Sequence, residues 1–329
     1  MIRVNLIARD NGFGLSRNLH LLHDALADAG FDVTISGIRR GALRKVLHPA
    51  RLRARTLARR LAGRDPQHWD ANLMLERVRP EYLATARRNV LLPHPEWFDG
   101  RDRRWLPRLD RAFVLTRHAV PIFASLGLKT EYTGFTSEDR RDPSVPRERA
   151  FFHLAGRSAN KGTETLLATW RRHPGWPHLT VLQSPRAARE IVQASNITHR
   201  VDYIADDELK RIQNARRFHL CPSETEGFGH YLVEAMGVGA VVATLDAPPM
   251  NEMVTPERGA LIAPSHTGTQ SLATTYFYDE VALERAVERL LATSDAELER
   301  MGTAARTWFE DNDRAFRVRI AEAVRALVA

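Results

Sequence analysis

Cys221-Pro222-Ser223-Glu224-Thr225-Glu226-Gly227-Phe228-Gly229-His230-Tyr231-Leu232-Val233-Glu234-Ala235-Met236 is the stretch whose reading decides the fold. The run leading into it, Arg217-Phe218-His219-Leu220-Cys221, is rich in apolar residues and stops at Pro222, the pattern of a buried strand. Gly227 and Gly229 then open a tight loop, and Tyr231 to Met236 starts a helix. Such a loop brings backbone N–H groups close to an anion, and the helix dipole favours negative charge there. Glu226 lies in the loop and Glu234 about one turn into the helix. A carboxylate cannot hold a phosphate, but it accepts hydrogen bonds from neighbouring hydroxyls such as a ribose pair or a sugar ring. The stretch therefore suits a diphosphate flanked on both sides by hydroxyl-rich groups, which is the shape of a nucleotide-sugar.

A second stretch repeats the pattern. The strand Ala150 to Ala155 runs into Gly156-Arg157-Ser158-Ala159-Asn160-Lys161-Gly162, and a helix follows from Thr163 to Trp170. Arg157 and Lys161 place two cations beside the free N–H groups of a helix N-terminus, a combination that suits one diphosphate. Taken alone, the first stretch is also a plain glycine turn with two surface glutamates. Taken with the second, Glu226-Gly227-Phe228-Gly229, the glutamate at 234 and Ala235-Met236-Gly237-Val238-Gly239 resemble the E-x7-E signature of GT-B glycosyltransferases, in particular the retaining family-4 group. Gly156-Arg157 and Lys161-Gly162 resemble that family's phosphate clamp, with the Arg–Lys gap about one residue short. The resemblance is strong over 150–265 and loose over 1–140.

The resemblance implies an α/β chain of two Rossmann-like domains facing a cleft, the GT-B arrangement. It implies catalytic roles for Arg157, Lys161, Glu226 and His94, with Glu226 on the sugar hydroxyls. It implies donor binding by Gly12, Gly14, Gly156, Ile204, Gly227, Phe228, Gly229 and Glu234, the last on the ribose. His94 follows a strand and sits between Pro93 and Pro95, which holds it at the sheet edge where ligands of open α/β sheets bind. In the family, the loop after Ile204 meets the base through backbone groups, so side chains do not name the base. No cofactor is expected beyond the nucleotide-diphosphate sugar as substrate. No metal is expected either, because no His/Cys cluster is present. Asp311-Asn312-Asp313 has the D-x-D form of another glycosyltransferase fold, but no strand precedes it.

Length and charge agree with this reading. A chain of 329 residues, 43% of them hydrophobic, is long enough for two domains with sizeable cores. No apolar run reaches about 18 residues, so no spanning helix is expected. Met1 to Ala8 reads as a first strand rather than a signal peptide. The lone cysteine, Cys221, fits a reducing cytosol and a small buried side chain. The net charge of +8 is local: ten basic residues and no acidic one fall between Arg39 and Arg64. That patch is either a solvated helical face or an attraction to an anionic membrane surface or acceptor.

Along the chain, strand and helix alternate in both halves. Residues 2–8 and Phe31 to Ser36 read as strands flanking a helix, with the turn Asp10 to Gly14 between. A dinucleotide fingerprint needs a third glycine and a well-placed acid, so NAD is disfavoured. Ala71–Leu75 and Asn89–Pro93 read as strands with a helix from Pro80 to Arg87 between them. Arg140 to Arg147 reads as a polar linker, Arg186 to Gln193 as a helix and His199 to Ile204 as a strand. The end reads as helices Glu280–Leu291, Asp295–Phe309 and Arg314–Val328, broken at 311–313. The expected domains are 1–143, with the helix 313–329 packing back on it, and 147–312. The expected function is a metal-independent, retaining transfer of sugar to a glycan or lipid-linked acceptor in cell-envelope polysaccharide or glycolipid synthesis. The expected place is the cytoplasm, with peripheral contact between 39–64 and an anionic membrane. The rivals are a sugar-nucleotide epimerase or phosphorylase of the same fold and a basic nucleic-acid-binding protein. No nucleic-acid motif accompanies the basic patch, so no nucleic acid is expected as a partner.

Overall fold

The computed structural model describes residues 1–9, 14–38, 51–52, 54, 56–59, 61–63, 65 and 67–329. The chain divides into two compact units, Met1–Phe135 with Asp313–Ala329, and Thr136–Asn312.

The first unit is built on six strands: β1 (Arg3–Arg9), β2 (Asp32–Ile38), β3 (Trp69–Leu75), β4 (Ala86–Leu92), β5 (Arg111–Val114) and β6 (Thr130–Tyr132). They form one parallel sheet in the order β2-β1-β3-β4-β5-β6. Helix α1 (Gly14–Asp28) follows β1, and α2 (Ala119–Ala124) follows β5. The central strands β1 and β3 are mostly buried, as in sheets covered by helices, whereas the edge strands β2 and β6 are more polar. Three buried amides cross this sheet in register. Asn5 pairs with Asn72 and Asn72 with Asn89 on adjacent strands, and their side chains hydrogen-bond at 3.0 and 2.9 Å.

That row of amides removes an expected helix. Pro80–Tyr82 makes only a short 3-10 turn, and β4 begins by Ala86. The Tyr82 carbonyl accepts from Asn72 at 2.8 Å and from Thr85 Oγ1 at 2.7 Å, while the Leu83 carbonyl accepts from Asn89 at 3.1 Å. Those carbonyls would otherwise serve a helix from 80 to 87.

The second unit holds β7 (Glu148–Gly156), α3 (Thr163–Arg172), β8 (Leu179–Gln183), β9 (Gln193–Ala194), β10 (Ile197–Arg200) and α4 (Asp206–Ala215). It continues with β11 (Arg216–Cys221), α5 (His230–Gly237), β12 (Val241–Leu245), α6 (Met250–Met253) and β13 (Gly259–Ile262). Next come a hairpin, β14 (His266–Gln270) and β15 (Ala273–Phe277), and then α7 (Glu280–Ala292). The sheet order is β13-β12-β11-β7-β8-β10-β9, parallel except for the β9 edge. Phe151 and Phe218 stack across the β7–β11 pair at 4.6 Å, with Trp170 of α3 edge-on at 4.8 Å from Phe151. From β7 the chain winds one way, to β8. From β11 it winds the other way, to β12. The carboxyl ends of these neighbours are therefore the switch point at which open α/β sheets bind ligands.

Four further expectations are corrected here. Residues 186–193 form no helix: the Ser184 carbonyl ties back Ala187 and Ala188, and Gln193–Ala194 pairs with β10 instead. The strand expected over His199–Ile204 is Ile197–Arg200, in register with β8. Arg140, expected in a polar linker, is 1% exposed. Finally, α8 runs unbroken from Asp295 to Val328 through 311–313. Residues 303–328 contain neither glycine nor proline, and Arg317 donates to Asp313 at 3.0 Å across one turn.

Candidate active site

Two βα turns leave the switch point. The first leaves β7 at Gly156, where φ is +58°, and ends at Gly162, the N-cap of α3, where φ is +62°. A side chain at 162 would be strained and would force its surroundings to shift. An added Cβ would lie 2.6 Å from the Tyr278 ring and 3.0 Å from the Pro222 carbonyl. The Tyr278 hydroxyl also donates to the Gly162 carbonyl at 2.6 Å, so this ring fixes the turn from outside it.

The second turn leaves β11 at Cys221 and ends at Gly229, the N-cap of α5, where φ is +93°. A Cβ there would lie 2.7 Å from Leu232. Gly227 and Phe228 are buried, and the Phe228 ring meets the His230 ring edge-on at 5.3 Å. Cys221 is buried, and burial pushes its thiol pKa up, so it stays a neutral packing group.

Charged side chains join the turns. Lys161 forms an ion pair with Glu226, and both side chains are nearly buried, at 13% and 14% exposure. Lys161 also donates to Ser223 Oγ at 3.2 Å and lies 3.6 Å from the centre of the Tyr231 ring. Ser223 Oγ donates to Glu226 at 2.5 Å and hydrogen-bonds the Tyr231 hydroxyl. Backbone completes the joint, with Glu224 N donating to the Asn160 carbonyl at 3.0 Å. Arg157 stands exposed at the mouth of the first turn. Glu234 faces inward, 2% exposed, and accepts from Gln213 at 3.0 Å.

Beneath the first turn, His153 Nδ1 meets the Leu220 carbonyl at 2.7 Å and Nε2 meets Thr163 Oγ1 at 2.9 Å. Burial lowers the His153 pKa to about 4. The ring is therefore neutral, donating from Nδ1 and accepting at Nε2. From the side, the β14–β15 hairpin holds both turns. Gln270 accepts from Asn160 at 2.6 Å, and Tyr276 N donates to the Glu224 carbonyl at 2.7 Å.

The structure thus brings Gly156, Arg157, Lys161, Glu226, Gly227, Phe228 and Gly229 into two neighbouring turns of one unit, with Glu234 one helical turn into α5. Ile204 lies in the same unit, before α4, packed on the Phe152–Leu182–Ile212 cluster. His94 lies in the first unit, half-buried, just past the end of β4. Gly14 is the first residue of α1. Gly12 lies outside the described residues, as does most of the 39–64 patch. Among the described residues, no three His, Cys, Asp or Glu side chains come together as a metal site. Sequence reasoning missed Tyr278, Tyr231, Ser223, Asn160, Gln213 and Arg140. Ser223 and Tyr231 stand inside the decisive stretch, but nothing in their spacing announces a hydroxyl pair.

The turns offer two helix N-termini and two cations to an anion, with carboxylates beside them for hydroxyls. Comparison with known proteins agrees. Residues 175–308 match the family model described as Glycosyl transferases group 1. No curated protein matches the sequence. Solved structures share the fold across nearly the whole chain. Sucrose-phosphate synthase from Thermosynechococcus elongatus is 16% identical at a TM-score of 0.70, with 99% of each chain covered. HepE from Anabaena, in complex with UDP and glucose, is 13% identical at 0.71, with 99% of this chain and 100% of that one covered. The lipopolysaccharide outer core galactosyltransferase WaaB is 11% identical at 0.66, with 99% of each chain covered. The chain therefore has the GT-B fold, with the second glycine turn inside the region that matches the group 1 glycosyltransferase model and the first turn just before it.

Proposed function

We propose that the chain moves a sugar from a nucleotide-diphosphate sugar to a glycan or lipid-linked acceptor, with retention at the anomeric carbon and without a metal. The observation that carries this reading is the joint between the turns, where Lys161 and Glu226 already face each other under two helix N-termini. A diphosphate arriving there competes with Glu226 for Lys161. Lys161, Arg157 and the N-terminal amides then hold the charge that develops on the leaving diphosphate. Glu226, released from Lys161, accepts from sugar hydroxyls, and Glu234 takes the ribose. The proposed contact of His94 with the donor sugar, and the retention itself, rest on the family resemblance. The UDP and glucose bound in HepE support a nucleotide-sugar donor, and the name of WaaB, a lipopolysaccharide outer core galactosyltransferase, supports a cell-envelope role.

We place the protein at the cytoplasmic membrane face. Among the described residues of the basic segment, Leu57 and Leu61 are 57% and 81% exposed beside Arg59, a pairing of apolar and cationic groups that suits an anionic bilayer. No helix among the described residues is long and apolar enough to cross a membrane.

The test is nucleotide release from UDP-, GDP-, dTDP- and ADP-sugars in excess chelator. Release from at least one donor is expected. Release from none, or only after magnesium or manganese is restored, contradicts the proposal. Co-sedimentation with anionic but not neutral vesicles, lost at high salt, is the matching result for the membrane contact.

A further inference from the structure

Glu234 does not stand alone. Its Oε2 accepts from Gln213 Nε2 at 3.0 Å, and Gln213 Oε1 accepts from Arg140 Nε at 2.6 Å. A guanidinium only donates, so the amide oxygen must face Arg140 and the amide NH2 must face Glu234. The other end of the fork holds α4. Arg140 Nη2 donates to the Asp206 carboxylate at 3.0 Å and to the Asp206 carbonyl at 3.2 Å, and Nη1 reaches Glu138 and Asp206, each at 3.3 Å. Asn214 pins the backbone beneath, donating to the Arg140 carbonyl at 2.8 Å and accepting from Asp142 N at 2.8 Å. Arg140, Gln213, Asn214 and Glu234 are each 1–2% exposed.

A surface ion pair would not be built this way. Burying an arginine and an amide in series costs free energy unless every polar group is satisfied, and here each link has a partner. The chain of donors ends on the carboxylate of the E-x7-E pair that lies one turn inside α5. We propose that Arg140, acting through Gln213, is a positioning residue for nucleotide binding. It fixes the rotamer of Glu234 so that the carboxylate meets the ribose hydroxyls in one orientation. This rests on the reading of Glu234 as the ribose ligand. Arg140 itself touches no substrate.

The experiment titrates the full chain with UDP and GDP, with their 2′,3′-dideoxy forms, and with pyrophosphate. It compares wild type with Gln213→Met, Arg140→Met and Arg140→Lys. In wild type, the tighter ribonucleotide should bind about ten- to a hundredfold better than its dideoxy form, the range for a hydrogen bond to a charged group. In Gln213→Met the ratio should fall below about threefold, while pyrophosphate affinity stays within about twofold. Arg140→Met should match it. Arg140→Lys should fall between, because an ammonium keeps the charge but cannot span Gln213 and Asp206 together. If Arg140→Met fails to fold, Gln213→Met, which leaves the Arg140–Asp206 pair in place, decides the question. A wild-type ratio retained in Gln213→Met overturns the relay. Equal binding of ribo and dideoxy forms by wild type overturns both the relay and the ribose role of Glu234, while leaving the diphosphate site intact. Failure of wild type to bind any nucleotide or pyrophosphate overturns the donor-site reading itself.

Discussion

The turn after β7 carries Arg157 and Lys161, whereas the turn after β11 carries Glu224, Glu226 and, one helical turn further on, Glu234. Their backbones match: strand end, loop, left-handed glycine, helix N-terminus. Their charges differ in sign and in depth. Arg157 is exposed, Lys161 and Glu226 are nearly buried as a pair, and Glu234 is inside the unit behind Gln213. The difference teaches a division of labour. Helix dipoles favour anions at both turns, so Arg157 can face outward while Lys161 is held by Glu226. A carboxylate beside the same dipoles would itself be drawn to them and must be tied to other donors to keep its place. Ser223 and Lys161 tie Glu226, and Gln213 ties Glu234.

The comparison breaks most visibly on the cationic side. Arg157→Ala or Lys161→Ala should each cut turnover about 10²–10³-fold at saturating donor, the cost of losing one preorganised charge contact to a leaving group. Lys161→Ala should be the more complex of the two, since it also strips Glu226 of its partner. Steady-state kinetics on both variants checks this, and wild-type kcat in both would remove the clamp.

On the carboxylate side, the two glutamates should separate by parameter. Glu234→Ala should weaken nucleoside diphosphate binding by about 1.5–3 kcal/mol, while Glu226→Ala should mainly lower kcat. Titration with the diphosphate alone tells them apart, and the reverse pattern would exchange their roles.

The smallest effects sharpen the backbone half of the comparison. Gly156 and Gly162 share a left-handed φ, but only Gly162 faces the Tyr278 ring. Gly156→Ala should cost the conformational strain alone, about 1–2 kcal/mol. Gly162→Ala adds a steric clash and should cost more. Chemical denaturation of both variants measures the gap, and equal losses would mean that Tyr278 yields freely.

Much of this was legible in the residues. Apolar runs and glycine turns mark every strand that flanks the site, because a parallel sheet buried on both faces leaves those runs no other place. The clamp residues were legible because a diphosphate constrains its ligands to loops and helix starts. What was not legible depends on partners distant in sequence. Asn72 and Asn89 take the carbonyls that would have built a helix after Pro80, and neither residue reads as a helix breaker. Arg140 reads as a linker residue until Gln213 and Asp206 close around it. The hairpin at 266–277 passes unnoticed because β14 is Thr-, Gly- and Gln-rich and mostly exposed, with no apolar alternation.

The central claim is that the two turns together form one nucleoside diphosphate site. Calorimetric titration of the full chain with UDP, GDP, dTDP and ADP in excess chelator tests it most directly, with Lys161→Ala as the control. The account predicts saturable binding of at least one diphosphate by wild type and at least tenfold weaker binding by Lys161→Ala, which is about 1.4 kcal/mol. No binding of any diphosphate by wild type, or equal affinity in the variant, would contradict it.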